Sequence, residues 1–575
     1  MSIEGTAVEG GLDEPTELEP EQGSLELAQA EDRHTRADWE RETAKVLRKA
    51  RRMTDEDDDA LVWSKLTRTT LDGIPVAPLG TPDLLEDLQT VGRPTRAGDW
   101  DVRAHVAAGP AKEVNEEILG DLEGGVTSTW VEAGPGTDFE ALLEGVLLDL
   151  APVVLQPPPD DAAATARAFL AWAGDLELHP GTNLGVPAFD ADVAAAARAA
   201  GVLGFVLDAT AVHDRGASDA QEVGTAMAAA AGYLRAATDA GPAVAEAAAL
   251  VEFRLAVTDD QFASIAKLRA ARRLWARLQE HCDAEPVPMR LHAVTSRPMM
   301  TRYDPWVNML RTTVAAFAAG VGGADAVTVL PFDSALGRPD ALGRRNARNT
   351  SALLISEAHV ARVADPAGGS YAVEKLTDDL AVAAWEILGR LDDGADLTAE
   401  IEAVAREREE QVATRRRPLT GVTEFPNLAE TLPERSGAGL AAAGVRSYAA
   451  SFEALRDDPP AAHVFLATLG PVSAHTARAT FAANLFAAGG VATDPAGATD
   501  GVEALLAAYA GQPVVCLAGT DAAYAEWGAA AAAALREAGA TRVVVAGRPV
   551  DHADDSCATG VDALDFLSRT REALS

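Results

Sequence analysis

The sequence predicts an α/β chain: a (β/α)8 TIM-type barrel followed by a smaller, doubly wound parallel sheet. Three observations carry this. Between about residues 125 and 389, short apolar runs alternate with amphipathic helical stretches. Residues 390–460 change character, with a charged helix (AEIEAVAREREEQVATRRR) and then a Pro- and Gly-containing stretch. Beyond 460 a second, shorter alternation begins. At 575 residues the chain exceeds one compact core, which agrees with several domains.

In chain order, residues 1–37 are acidic, poor in aromatics and without sustained periodicity, so disorder is expected there. Residues 38–122 read as an extension before the barrel, opening on a helix from Asp38 with Trp39, Ala44, Val46 and Leu47 as its apolar positions. The barrel is placed at 123–395, with strands at 126–131, 153–156, 203–208, 250–255, 289–294, 326–330 and 360–364. An eighth falls around 182–186, where glycines and prolines weaken the signal. The clearest barrel helix is 262–279, where Phe262, Ile265, Leu268, Ala271, Trp275 and Leu278 recur every three or four residues. Residues 396–460 read as a linker. In 461–575, strands at 463–469, 514–518 and 543–546 alternate with helices at 474–488, 522–538 and 562–573, which suits a flavodoxin-like domain.

Composition narrows the classes of function. Apolar residues make up 48% of the chain, which supplies ample core material for a globular protein. No apolar run reaches the roughly 18 residues of a membrane span, and the acidic, Gly-rich start lacks the pattern of a secretory signal. Three cysteines (Cys282, Cys516, Cys557) are scattered, an odd count without metal-ligand spacing. A cytoplasmic location is expected. The net charge of −39 weighs against nucleic acid and anionic membranes as partners. Any anionic ligand would need a local basic pocket.

Several segments carry a family resemblance. FASIAKLRAARRLWARL (262–278) is the strongest, followed in order by PMRLHAVTS (288–296), DPWVNMLRTTVAAFAAGVGG (304–323), RRNARNTSALL (344–354) and VADPAGGSYAVEKLTDDLAVAAW (363–385). HDRGASDAQEVGTAMA (213–228) and GRPTRAGDWDVRAHV (92–106) fit more loosely. On these segments the chain resembles the cobalamin-dependent acyl-CoA mutases, and among them the small (beta) subunits of methylmalonyl-CoA mutase. The resemblance implies a barrel that handles the acyl-CoA and a C-terminal domain, 461–575, of the cobalamin-binding type.

The departures from that family bear on function. Its cobalamin loop reads Asp-x-His-x-x-Gly, the His ligating cobalt and the Asp holding the other ring nitrogen. Here LGPVSAHTARATF (469–481) puts Val472, Ala474 and Ala477 at those positions, with His475 one residue late. The family's Ser-x-Leu turn reads CLAGTD (516–521), and its Gly-Gly reads Ala546-Gly547. In the barrel, the His that hydrogen-bonds the thioester carbonyl corresponds to Ala211, with His213 nearby but displaced. The Leu-His-Thr-Asn stretch corresponds to Leu330-Pro331-Phe332-Asp333. Where a substrate-carboxylate Arg belongs, 182–200 offers only Arg198, and residues 82–92 hold no radical-shielding Tyr.

The resemblance therefore implies a catalytically inactive chain with no catalytic, cofactor-binding or metal-binding residues of its own. It would pair as a heterodimer with a homologous large mutase subunit that holds adenosylcobalamin and interconverts (R)-methylmalonyl-CoA and succinyl-CoA by radical rearrangement. Residues 38–122 would then include a partner-contacting arm. The alternatives are a self-sufficient mutase using His475, or an acyl-CoA-binding regulator without turnover. Individual residues read plainly beside this: His213, His292 and His475 as surface or satisfied-core histidines, Gly320–Gly323 and Gly368-Gly369 as caps and turns, Arg415–Arg417 as a solvated helix face or a contact for a partner or acyl-CoA phosphate, and Cys557 as a spectator. Bulky side chains are expected to fill the barrel cavity if its chemistry has been given up.

Overall fold

The structure, a computed structural model, describes residues 33–575 except 93, 95 and 97. Most of the stretch expected to be disordered, 1–37, lies outside the described residues. The first helix, Arg36–Lys49, starts two residues earlier than expected because Thr35 caps it in a reciprocal capping box with Asp38. The chain forms two compact units. In the first, residues up to 68 with 75–78, Ala44, Leu47, Met53 and Val62 form a small core, and the rings of Trp39 and Trp63 pack 4.6 Å apart beside it.

The second unit, 69–74 with 79–575, contains both sheets. Eight parallel strands close a barrel: β1 Asp101–Val106, β2 Ser128–Glu132, β3 Val153–Gln156, β4 Asn183–Val186, β5 Leu203–Asp208, β6 Val251–Val257, β7 Leu291–Thr295 and β8 Ala326–Thr328. Pairing of β8 with β1 completes the ring. The weak strand is present as β4, irregular because Gly185 adopts φ +73°. A Cβ there would lie 2.0 Å from the Leu155 carbonyl oxygen, so only glycine fits.

Two strand expectations are corrected. The barrel begins at β1, upstream of residue 123. The run at 360–364 is no strand: Val360–Arg362 is a 3-10 turn, and Val360 packs with Phe317 against the core around Ile265, Ala318 and Val373. That run is apolar because it covers a helix, not because it joins a sheet.

The C-terminal sheet has five parallel strands: β9 Val464–Thr468, β10 Thr493–Pro495, β11 Val514–Ala518, β12 Arg542–Ala546 and β13 Asp555–Cys557. Their spatial order, β10-β9-β11-β12-β13, is the flavodoxin-like one. Residues 396–460 are folded onto both sides. Ile401 packs with Leu397 and Ala217, while Val412, Leu419, Val422 and Phe452 join the core of the C-terminal sheet. The loop after β7 is clamped to the helix Ala450–Asp457, with Arg302 Nε 3.1 Å from Glu453 and its NH2 2.7 Å from Asp457. No helix among the described residues is long and apolar enough to cross a membrane.

Candidate functional sites in the barrel and the C-terminal domain

Inside a parallel barrel, alternate residues of each strand point to the axis. In β6, VEFRLAV, Phe253 packs outward on Trp275, which turns Glu252 and Arg254 inward. From β1, Arg103 NH1 reaches Glu252 Oε1 at 2.8 Å, and β1 and β6 are not neighbours, so this ion pair crosses the interior. Arg103 also donates to Asp101 and Ser128. Above it Trp130 of β2 packs with Val154 and Val294, lies edge-on to His292, and has the Arg254 guanidinium 3.9 Å from its ring centroid. Arg254 in turn donates to Asp208 Oδ2 (2.8 Å) and to His292 Nδ1 (3.0 Å).

His292 illustrates how closed this layer is. An arginine can only donate, so Nδ1 accepts and the ring proton sits on Nε2, which donates to Thr328 Oγ1 at 2.8 Å. Burial, with Arg103 and Arg254 beside it, pushes the imidazole well below its usual pKa. It is a neutral, satisfied core histidine. An indole, two guanidiniums and an imidazole thus occupy the barrel axis.

The carbonyl-His position, Ala211, lies in the short helix Thr210–Asp214, and His213 faces the core. Its Nε2 is 2.7 Å from Ser296 Oγ and its Nδ1 is 3.4 Å from Glu222 Oε2. The carboxylate partner that no sequence cue placed is therefore Glu222. Glu222 is itself engaged with Lys267 Nζ (2.7 Å) and accepts from the Ala256 amide (2.6 Å), while Lys267 also reaches Asp219 (2.9 Å). Burial works against the charge on both carboxylates, but Lys267 beside them holds each below the usual carboxylate range.

Asp72 sits at the edge of this cluster, accepting from the Ala220 amide. Burial, and then the charge of Asp219, push its carboxyl up to about 6. The folded state therefore binds more protons than the unfolded one between about pH 3.8 and 6, and stability falls as pH rises through that window. Asp72→Asn removes the penalty. Urea midpoints should show a gain of up to about 3 kcal/mol at pH 8 and none below about pH 4.

The other barrel positions are equally committed. Arg198 lies on the outer face of its helix, 3.8 Å from Glu246, and does not point to the barrel mouth. Asp333 is buried against Arg435, and Phe332 stacks on Trp306. The segment 82–92 is pinned to the helix Tyr371–Asp392, with the Gln89 and Thr90 amides donating to Asp378. Gly322 caps a helix, and Gly369 lies in the turn before one. Arg415 pairs with Glu424 and Arg416 with Glu410. Cys557 is fully buried in β13.

A cavity of about 490 Å³ opens at β1 and β8, lined by the inward-facing Arg103, His105, Glu132 and Thr328 and by the helices Ala111–Glu123 and Ala341–Ala352. Arg297, Arg338, Arg344 and Arg348 line it. Each is paired with a carboxylate: Arg297 with Asp214, Arg338 with Glu117, and Arg344 and Arg348 with Asp121. An anion entering here would compete with those pairs.

In the C-terminal domain the helix Val472–Ala488 starts directly after the β9 loop, on Pro471. Ala474, where the family's axial imidazole belongs, has no ligating atom. His475 lies on the packed face of the helix, in line with Ala482 and Phe486, and both its ring nitrogens are buried without a partner. The groove between the loops after β9, β11 and β12 is filled. Arg478 NH1 donates to the Gly519 carbonyl at 2.8 Å, and Tyr524 Oη accepts from the Gly519 amide (3.0 Å) and donates to the Ala546 carbonyl (2.8 Å). A Cβ on Gly547 would meet Arg478 at 3.4 Å and Tyr524 at 3.6 Å. These residues do not fit a cofactor that needs an imidazole at 474 and open space beside 547. Nor do the described residues contain a His, Cys, Asp and Glu cluster able to hold a metal ion.

A barrel joined to a flavodoxin-like sheet, with the motif segments on barrel strands, helices and turns, defines a chain of the acyl-CoA mutase type. The family model for methylmalonyl-CoA mutase matches residues 203–473. A Streptomyces virginiae protein named methylmalonyl-CoA mutase small subunit is 43% identical, over 94% of this chain and 97% of its own. A Mycobacterium bovis protein named as a probable small subunit is 40% identical, over 92% and 94%. A Propionibacterium freudenreichii subsp. shermanii small subunit is 33% identical, over 96% of each chain. The chain belongs to the methylmalonyl-CoA mutase family.

Proposed function

We propose that this chain is the non-catalytic small subunit of a heterodimeric methylmalonyl-CoA mutase. Its partner is a homologous large chain with an intact Asp-x-His-x-x-Gly loop, which holds adenosylcobalamin and carries out the exchange between (R)-methylmalonyl-CoA and succinyl-CoA. The observation that carries this reading is double filling: the barrel axis by Trp130 and Arg254, and the C-terminal groove by Arg478 and Tyr524. A radical rearrangement needs a shielded substrate cavity and a cofactor seat. Here Trp130 and Arg254 occupy the barrel axis, and Arg478 and Tyr524 occupy the C-terminal groove. The cavity that remains beside β1 and β8 is lined by arginines already paired with carboxylates. What this chain contributes is surface and stability, at a location proposed to be cytoplasmic. The self-sufficient reading would need His475 to leave the packed face of its helix.

The test is co-expression with the homologous large chain from the same genome. Mutase turnover is expected from the co-purified pair and none from this chain alone. Turnover by the isolated chain with added adenosylcobalamin would overturn the proposal.

A further inference from the structure

We propose that the turn 70–74 is a proton-controlled latch: it stays docked on the helix Asp219–Asp239 while the Asp72 carboxyl is protonated, and opens locally more often once Asp72 is ionised. The chain path sets the stage. Residues 69–74 belong to the second unit, although the residues on both sides of them, up to 68 and 75–78, belong to the first. The turn is built to survive undocking. The Thr70 amide donates to the Ile74 carbonyl (2.9 Å) and the Gly73 amide to the Thr70 carbonyl (3.0 Å). Thr70 Oγ1 accepts from the amides of Asp72 (3.2 Å) and Ile74 (3.1 Å), and Gly73 takes the left-handed position at φ +78°. All of these bonds stay within the turn, so none of them fastens it to the barrel.

What fastens it is slight. Ile74 is buried, and Asp72 Oδ1 accepts from the Ala220 amide at 3.2 Å. That amide lies in the first turn of its helix, where N–H groups have no partner within the helix. A carboxylate is ordinarily welcome at such an end. Here the place is already taken: Ser218 and Gln221 close a reciprocal capping box, and the Asp219 carboxylate stands at the same end.

The charges around Asp72 do not balance. Its helix contributes Asp219 and Glu222, and both are engaged with Lys267 of the helix Gln261–His281, at 2.9 and 2.7 Å. His213 adjoins Glu222, and Asp214 is paired with Arg297. Arg408, whose charge is felt at Asp219, donates to the carbonyls of Gly216 and Ala217. Asp72, Asp219 and Glu222 thus share Lys267 and Arg408, and among the described residues no cation forms an ion pair with Asp72. Lost hydration, and then Asp219, raise its carboxyl to about 6. A raised value in the docked form means that docking binds a proton, so docking is strongest below about pH 3.8 and weakens as pH rises through 6. From pH 5 to pH 8 these two values give about a tenfold rise in the open fraction.

The experiment is hydrogen–deuterium exchange on the full chain at pH 5, 6.5 and 8, resolved to single amides and divided by the intrinsic rate at each pH. Protection of the Ala220 amide should fall about tenfold from pH 5 to pH 8, while β6 and the helix Gln261–His281 keep theirs. Asp72→Asn keeps an acceptor for that amide and carries no charge at either pH, so its protection should be high and flat. Wild-type protection that does not change with pH overturns the proposal without reference to any variant. A pH dependence that survives in Asp72→Asn also overturns it, by assigning the effect to His213 or another group. So does a loss of protection that spreads through the barrel, which would be global unfolding and not a latch.

Discussion

Glu222→Ala is expected to destabilise the protein by about 3–5 kcal/mol, because it leaves a buried charge short of its partner. Lys267 has no exposed surface and sits between Asp219 and Glu222. Burial works against its ammonium, and the two carboxylates together more than restore it. Removing Glu222 leaves one carboxylate to balance the ammonium and strips an acceptor from the Ala256 amide and a neighbour from His213. Three elements lose a common tie at once: the helix Thr210–Asp214, the helix Gln261–His281 and β6. The cost should shrink sharply only in the Glu222→Ala, Asp219→Asn, Lys267→Met triple variant, where the ammonium and both of its carboxylates are gone together. Urea unfolding of the set measures this. A single-variant cost below about 1 kcal/mol would show that the cluster does not hold the barrel together.

Trp130→Ala should cost a similar amount, about 3–5 kcal/mol, by a different route. The indole is fully buried on the barrel axis and packs Val154 of β3 and Val294 of β7 across the interior. Its removal leaves a void that a closed ring of eight strands cannot collapse to fill. It also removes the ring face beneath Arg254, whose NH2 has no other partner. Trp130→Phe keeps a ring in place and should lose less. The functional corollary is as sharp: the opened axis should bring no mutase turnover, because the C-terminal groove stays filled. Denaturation midpoints and an activity assay on the same preparations report both outcomes.

The architecture was legible where the burial pattern is simple, one-sided in an amphipathic helix and two-sided in a parallel strand. The helix at 262–279 announces itself by its period, and β3, β5, β6, β9 and β11 read as apolar runs because parallel strands are buried on both faces. The same rule explains the failures. In β1, DVRAHV, every second residue is polar because Asp101, Arg103 and His105 share one side, and that alternation hides a buried strand. At β10 and β13 the strands are three residues long and mostly polar, as sheet edges permit. At 360–364 an apolar run was apolar for a helix's sake.

The site was legible only as a set of missing groups. Val472, Ala474, Ala477 and Ala211 can be read from motif positions, but what surrounds those positions depends on pairs far apart in sequence. Arg103 and Glu252 are separated by 149 residues, and Arg478 and Gly519 by 41. One signal was available: charged residues at alternate positions of a strand predicted to line a barrel, Glu252 and Arg254, point at its axis.

The central claim is that this chain has exchanged its cofactor seat for packed side chains and serves a partner that kept one. The most direct measurement is cobalamin stoichiometry. The chain alone, the large chain alone and the co-purified pair are each loaded with adenosylcobalamin, freed of excess and read by absorption. The account predicts no retained cobalamin on this chain and one equivalent per heterodimer. Stoichiometric cobalamin on the isolated chain, abolished by His475→Ala, would contradict it.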